Sequence, residues 1–389
     1  MYIRRDISEH LKRMIKQFPV LSLTGPRQSG KTTLLRNEFP DYSYFNLERL
    51  DYREMIKEDP LGFLRSRGTH IIFDEAQALP ELFSYMQVIS DERNIPGQYI
   101  LSGSQSFLLN EKISQSLAGR VHVNHLYPFD ILELEKKIFN KPDSFIVNGF
   151  YPRLYDQQIS ATDFYPSYLQ TYIERDIRSL KNVENLQSFS RFIGLCAGRI
   201  GQPLNLSSLA NDAGIAVNTA KSWISLLESS FVIYLLQPYY KNFNKRIIKA
   251  PKLYFYDTGV VSSLLRINSH EMVLTHYLYG SLFENLVINE IIKTQIHAGR
   301  KPLIWYWRES NGAEIDCLIE IEDNLIAIEI KSGQTFTRDY LKNLKLLNQV
   351  KTNKPFKKIL VYNGEESETV GDVELINWDG FPDFLKSLK

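Results

Sequence analysis

Short apolar runs separated by polar, helix-compatible stretches mark residues 20 to about 127. Val20–Thr24, Tyr44–Leu47, His70–Phe73, Gln98–Ser102 and Val121–Leu126 read as strands, and their alternation with helical patterns predicts a mostly parallel sheet covered by helices. From about 141 to 185 the pattern turns helical, with Phe164, Tyr168, Tyr172 and its neighbour Ile173 recurring at helix spacing. Residues 186 to 265 give a helix–turn–helix pattern and then a basic, strand-like stretch. The last block, about 275 to 389, opens with a helix and continues as three strands, a helix and a strand. No internal repeat or low-complexity segment interrupts this order.

With 389 residues the chain is long enough for two to four domains. Aromatic residues make up 12%, with 22 Tyr and 22 Phe, which excludes a disordered chain. The 46 basic and 45 acidic residues leave a net charge of +1, so any nucleic-acid surface must be local. Cys196 and Cys317 stand far apart without a second ligand at metal spacing and read as buried thiols of a reducing cytoplasm. No apolar stretch approaches the roughly 18 residues of a membrane span, and MYIRRDISEH is too polar for a signal peptide. A soluble cytoplasmic protein is expected.

Residues 25 to 32, GPRQSGKT, satisfy every fixed position of the phosphate-binding loop G-x-x-x-x-G-K-[S/T]. Gly25 and Gly30 permit the tight curl that turns backbone N–H groups inward, with Pro26, Arg27, Gln28 and Ser29 between them and Thr33 just beyond. Lys31 supplies a cation for the β- and γ-phosphates, and the Thr32 hydroxyl suits Mg²⁺. An apolar run precedes the loop and a helical one follows it, so the helix N-terminus faces the anion. The nucleotide expected here is ATP with Mg²⁺.

HIIFDE at 70 to 75 is an apolar strand ending in two carboxylates, the pattern of a Walker B strand. Asp74 would hold Mg²⁺ through water, and Glu75 would orient and deprotonate the attacking water. Ser104, at the polar end of ILSGSQ, suits a group that senses the γ-phosphate. Arg120, after Gly119 in SLAGRV, sits where oligomeric ATPases carry an arginine that reaches a neighbour's γ-phosphate. Arg153 and Arg175 are weaker candidates for a lid arginine.

In SSLANDAGIAVNTAKSWISLLE at 207 to 228, Leu209, Ala210, Ala213, Ala220, Ile224 and Leu227 would face inward. That leaves Asn218, Thr219, Lys221, Ser222 and Ser225 outside, small and polar enough for a major groove. YYKNFNKRIIKAPK at 239 to 252 has five basic residues and no acid, which suits a wing touching phosphates through Lys245, Arg246 and Lys249. Such modules also serve as plain protein–protein contacts. The C-terminal block has the order of a PD-(D/E)xK nuclease core: Glu284 in the opening helix, Asp316 on one strand, Glu329 and Lys331 on the next. The carboxylates would hold a divalent metal, and period-two geometry puts Glu329 and Lys331 on one strand face. Residues 340 to 363 carry six Lys and no acid, a second local basic patch.

LTGPRQSGKTTLL, IIFDEAQALPEL, LSGSQSFLL, SLAGRVHVNHLYPFDILEL, GFYPRL, YIERDI, KRIIKAPKLYFYDTG, LFENLVINEI, AEIDCLIE and AIEIKSG together resemble a bacterial and archaeal family of AAA-type ATPases. Its members join a P-loop domain to a C-terminal domain of unknown function. The resemblance implies ATP binding and hydrolysis. The fold expected is α/β: a P-loop AAA-type ATPase domain at 1–135, a helical lid at 136–185, a winged helix at 186–268 and a restriction-endonuclease-like α/β domain at 269–389. The function expected is a motor or remodeller on duplex or branched DNA, with DNA and further copies of the chain (a homo-oligomer such as a hexamer) as partners and no membrane. A nucleotide switch gating protein assembly and an ATP-licensed metal-dependent nuclease are the alternatives.

Overall fold

The computed structural model describes residues 2–104, 116–134, 141–172, 185–239, 250–309, 312–321, 323–349 and 354–389. The chain packs as two compact units. The first comprises Met1–Phe129 with Ser229–Phe231 and Ile296–Arg300. Its elements are α1 (Ser8–Met14), β1 (Val20–Thr24), α2 (Lys31–Glu38), β2 (Ser43–Asn46), α3 (Leu50–Glu58), α4 (Pro60–Arg67), β3 (Ile71–Asp74), α5 (Leu82–Arg93), β4 (Tyr99–Gly103) and β5 (Val121–His125). The five strands expected from the sequence are all present, with bounds moved by a residue or so.

The strands are parallel throughout and ordered β2-β3-β4-β1-β5. Side chains alternate across a strand, so each strand needs two apolar sets to be covered on both faces. Leu21, Leu23, Ile72 and Ile100 meet Leu11 of α1 and Leu34 and Leu35 of α2 on one face. Val20, Phe73, Tyr99 and Leu101 meet Ile56, Phe63, Phe83 and Met86 from α3, α4 and α5 on the other. Because β1 lies between β4 and β5, the strand order reverses there, and the crevice at the carboxyl ends of the strands opens beside β1.

The second unit comprises Asp130–Glu228, Val232–Gln295 and Lys301–Lys389. It begins with the short helices α6 (Pro142–Asn148), α7 (Pro152–Asp156) and α8 (Ala161–Tyr168), then α9 (Leu186–Ala197), α10 (Leu206–Ala213) and α11 (Val217–Ser229). An antiparallel hairpin follows, β6 (Ile233–Leu236) with β7 (Lys252–Phe255), and Pro203 bridges Lys252 on its far side. Asn205 caps α10, and Gly214, at φ 72°, ends it. The six residues expected to face inward from this helix pair are buried, together with Trp223 and Leu226.

After α12 (Thr258–Leu264), α13 (His270–Thr275) and the long α14 (Tyr279–His297) comes a six-stranded sheet. Its strands are β8 (Ile304–Arg308), β9 (Glu314–Ile321), β10 (Asn324–Lys331), β11 (Phe356–Tyr362), β12 (Thr369–Val370) and β13 (Val373–Asn377), with α15 (Lys342–Leu346) between β10 and β11 and α16 (Phe381–Ser387) at the end. β8, β9 and β10 are antiparallel neighbours, and β10, β11 and β13 are parallel. An opening helix, three strands, a helix and a strand were expected; the β12–β13 hairpin and α16 were not.

The sequence divides this half at 185 and 268, and the structure packs straight across both divisions. Asp257 accepts from the Tyr165 hydroxyl at 2.7 Å and from the Phe150 N–H at 2.8 Å, tying the expected lid to the expected winged helix. Asn285 of α14 exchanges two hydrogen bonds of 2.9 Å with the backbone of Phe255 in β7. These bonds satisfy buried polar groups that composition alone does not pair. Among the described residues no helix is long and apolar enough to cross a membrane.

Candidate active site

β1 delivers the chain into the glycine-rich loop and α2 takes it out. Gly25 is there because a Cβ on it would lie 2.1 Å from the carbonyl oxygen of Leu126. Gly30 stands at the N-cap of α2 with φ 94°, a left-handed conformation that side chains disfavour. Gln28 is also left-handed, at φ 63°. Lys31 is buried, and its Nζ donates to the carbonyls of Gly25 at 2.9 Å and Pro26 at 2.8 Å. Burial brings its pKa down to about 8, against the pull of Glu75 and Asp74. The Ser29 hydroxyl is buried without a hydrogen-bond partner, an orphan of the kind a phosphate oxygen satisfies. Arg27 and Thr33 lie toward solvent; Arg27 approaches Glu48 at 3.6 Å. Sequence reasoning missed Arg5, which is buried and braces the loop by donating to the carbonyls of Ser29 at 2.9 Å and Tyr127 at 2.7 Å.

β3 ends on Asp74, and the neighbouring strands close around it. The Thr32 and Tyr44 hydroxyls each donate to Asp74 Oδ2 at 2.6 Å, and the Ser102 hydroxyl donates to Oδ1. Thr32 and Asp74 thus present adjoining hard oxygen donors, the chemistry Mg²⁺ selects. Glu75 follows with a left-handed backbone at φ 51°, rare for a residue with a side chain and typical of functional sites. Its Oε2 accepts from the Ser104 hydroxyl at 3.1 Å and from Gln77 Nε2. Ser104 is buried, so it is aimed at Glu75 rather than at the loop. Tyr44, Ser102 and Gln77 were not singled out from sequence. Ser102 had a legible signal, as the first hydroxyl of the polar strand end that also holds Ser104.

Arg120 is elsewhere. Val121 pairs with Val20, the first residue of β1, whereas the loop follows its last. Arg120 therefore sits at the opposite end of the strands, about 16 Å away at the usual strand rise, and donates from Nη2 to Asp91 at 2.8 Å. It cannot reach the loop of its own chain. Arg153 lies on α7, where it bonds Gln157 at 2.9 Å, and Arg175 falls outside the described residues.

Loop, paired carboxylates and strand order agree with the family comparison, in which residues 17–135 match the model described as AAA domain. The first unit is an AAA-type P-loop ATPase domain. Residues 141–271 and 279–381 of the chain match two domains of unknown function, DUF8612 and DUF4143. An uncharacterized protein of Mycobacterium tuberculosis is 29% identical over 337 residues, covering 85% of this chain and 74% of its own. One from Methanocaldococcus jannaschii is 23% identical over 418 residues, covering 93% and 84%. Among solved structures, a Walker-type ATPase of Pyrococcus abyssi aligns with TM-score 0.40 and 15% identity over 69% of this chain and 96% of that one.

Beyond the AAA domain, the nuclease-like residues lie close together without meeting at one point. Asp316 Oδ2 accepts from the Ile330 N–H at 2.8 Å, and Lys331 lies 3.5 Å from it. Glu329 Oε1 accepts from Lys331 at 2.7 Å and Asn343 at 3.4 Å. Burial and the Asp316 charge push the Glu329 carboxyl up. Glu284 instead takes Lys252 at 2.9 Å and the Tyr254 hydroxyl. Among the described residues, Glu284, Asp316 and Glu329 do not bring one oxygen each to ligand spacing. As it stands, the arrangement does not offer one ion all three carboxylates. On α11, Asn218, Lys221 and Ser225 are exposed and Thr219 and Ser222 partly so; Lys245, Arg246 and Lys249 fall outside the described residues.

Proposed function

We propose that the protein is an ATP-dependent, DNA-associated AAA-type ATPase that acts as a motor or remodeller on duplex or branched DNA, in repair, recombination or genome defence. One observation carries the ATP half: Lys31 and Thr32 open α2 beyond the loop that follows β1, Asp74 and Glu75 stand at the end of β3 across β4, and the 2.6 Å Thr32–Asp74 bond joins them. Lys31 and the loop N–H groups hold the β- and γ-phosphates. Thr32 and Asp74 hold Mg²⁺, which when bound neutralises charge on those phosphates. Glu75 orients the attacking water and takes its proton, and Ser104 positions Glu75 by donating to its carboxylate. Arg120, at the far end of the strands, serves the site of a neighbouring copy in a homo-oligomer.

The DNA half rests on α10, the Gly214 turn, α11 and the β6–β7 hairpin, an order shared with winged-helix modules. The exposed polar face of α11 suits a major groove, and Lys245, Arg246 and Lys249 suit backbone phosphates. The competing reading, a nucleotide switch gating protein assembly, draws on that same face carrying Lys221 as its one basic side chain. ATP turnover measured with and without duplex and branched DNA separates the two. Stimulation by DNA, lost when Lys245, Arg246 and Lys249 are charge-reversed, is expected; turnover and binding indifferent to both changes would move the reading to the switch.

A further inference from the structure

Lys252, the last of the five basic residues in the 239–252 stretch, is the one among the described residues, and it is buried. It opens β7, is 1% exposed, and ion-pairs with Glu284 at 2.9 Å and with Glu314 of β9. Its ammonium also lies 5.5 Å from the centre of the Tyr306 ring. Backbone bonds hold it there: Leu253 donates to Gln202 at 3.1 Å, and Asn285 clamps Phe255. A buried ammonium is tolerated only when carboxylates compensate it, so Glu284 and Glu314 are committed to Lys252. Arg308 engages the other oxygen of Glu314 at 3.0 Å, and Lys331 lies against both Glu329 and Asp316.

We propose that Lys252 is the resident cation of this nuclease-like centre, a tethered ammonium that takes the electrostatic place of a divalent metal and leaves this centre metal-independent. Two features beyond the ion pairs support it. Among the described residues the carboxylates of Glu284, Asp316 and Glu329 do not bring one oxygen each to ligand spacing, so one ion cannot draw on all three as they stand. Glu329 Oε2 is buried and lacks a hydrogen-bond partner, so the acidic set keeps an oxygen that its lysines leave unsatisfied. The lysine-bearing strand also belongs to the hairpin that follows α11, so the ion pairs fasten the hairpin to α14 and the sheet.

The test uses the full chain without nucleotide and Mn²⁺ alone as the probe, followed by calorimetry and by the spin resonance of free Mn²⁺. Wild type and Asp316→Asn should take up Mn²⁺ equally. Lys252→Met should gain a Mn²⁺ site at least about tenfold tighter than any in wild type, absent again from Lys252→Met/Asp316→Asn. Lys252→Arg, which keeps the charge, should gain none. Uptake by wild type that Asp316→Asn abolishes would overturn the proposal, as would a folded Lys252→Met that gains nothing. Should Lys252→Met fail to fold, the comparison of wild type with Asp316→Asn decides alone.

Discussion

Lys31 carries its charge in a place that barely supports it. Burial lowers its pKa from the ordinary 10.5 to about 8, while Glu75 and then Asp74 oppose the shift. Between those two values the unfolded chain holds the proton and the folded chain does not, so this group's contribution to folding stability rises with pH across that window. Nucleotide binding runs the other way, because phosphates need the ammonium. Affinity for a non-hydrolysable ATP analogue, titrated from about pH 7 to about 9.5, should fall above about pH 8 by up to roughly tenfold per pH unit. In Glu75→Gln the break should move to lower pH, since the largest stabilising charge is gone. Lys31→Ala should lose tight binding outright. Glu75→Gln should bind ATP and fail to turn it over, and wild-type turnover in that variant would remove Glu75 from the catalytic role.

At the scale of the element, the loop depends on an approach between two strands that are far apart in sequence. Gly25 passes so close to Leu126 that a Cβ would meet its carbonyl at 2.1 Å. Gly25→Ala should therefore force β5 from β1, lowering stability by about 1–3 kcal/mol, the usual cost of overpacking, and weakening nucleotide binding. Denaturant unfolding and analogue titration measure the two effects, and an unchanged variant would mean that the loop moves freely. In the helix–turn–helix, Leu227 is fully buried. Leu227→Ala should cost about 2–5 kcal/mol, and the same experiment with exposed Lys221→Ala should leave stability nearly unchanged.

For the whole molecule, the position of Arg120 turns a question of catalysis into one of assembly. It lies at the opposite end of β1 from the loop, so in the proposed homo-oligomer its removal would test a neighbour's site rather than its own. Arg120→Ala should bind ATP normally and hydrolyse it roughly 10³-fold more slowly. Mixed with Glu75→Gln, it should regain part of the lost activity, because some interfaces then carry both an intact Glu75 and an intact Arg120. No recovery, with a monomeric profile in ATP, would remove the interface model. Lys331→Ala should keep ATP turnover within about threefold of wild type, as expected of distant, independent sites.

The P-loop, the Walker B pair and the five strands of the first unit were legible because each is a local pattern: fixed glycines, an apolar run, carboxylates at its end. The helix–turn–helix was legible for the same reason, its periodicity naming the buried residues correctly. Strand order was not, because hydrogen bonding between β3, β4 and β1 leaves no mark in the chain. Ser102 and Tyr44 bond Asp74 only because that order makes their strands neighbours. Arg5 under the loop and Lys252 against Glu284 are likewise long-range pairings, read as ordinary basic residues until folding buried them. The nuclease-like residues could be placed on their helix and strands from spacing alone. Whether their oxygens converge on a metal or are spent on lysines depends on which charge the fold buries beside them, and that was decided by tertiary packing.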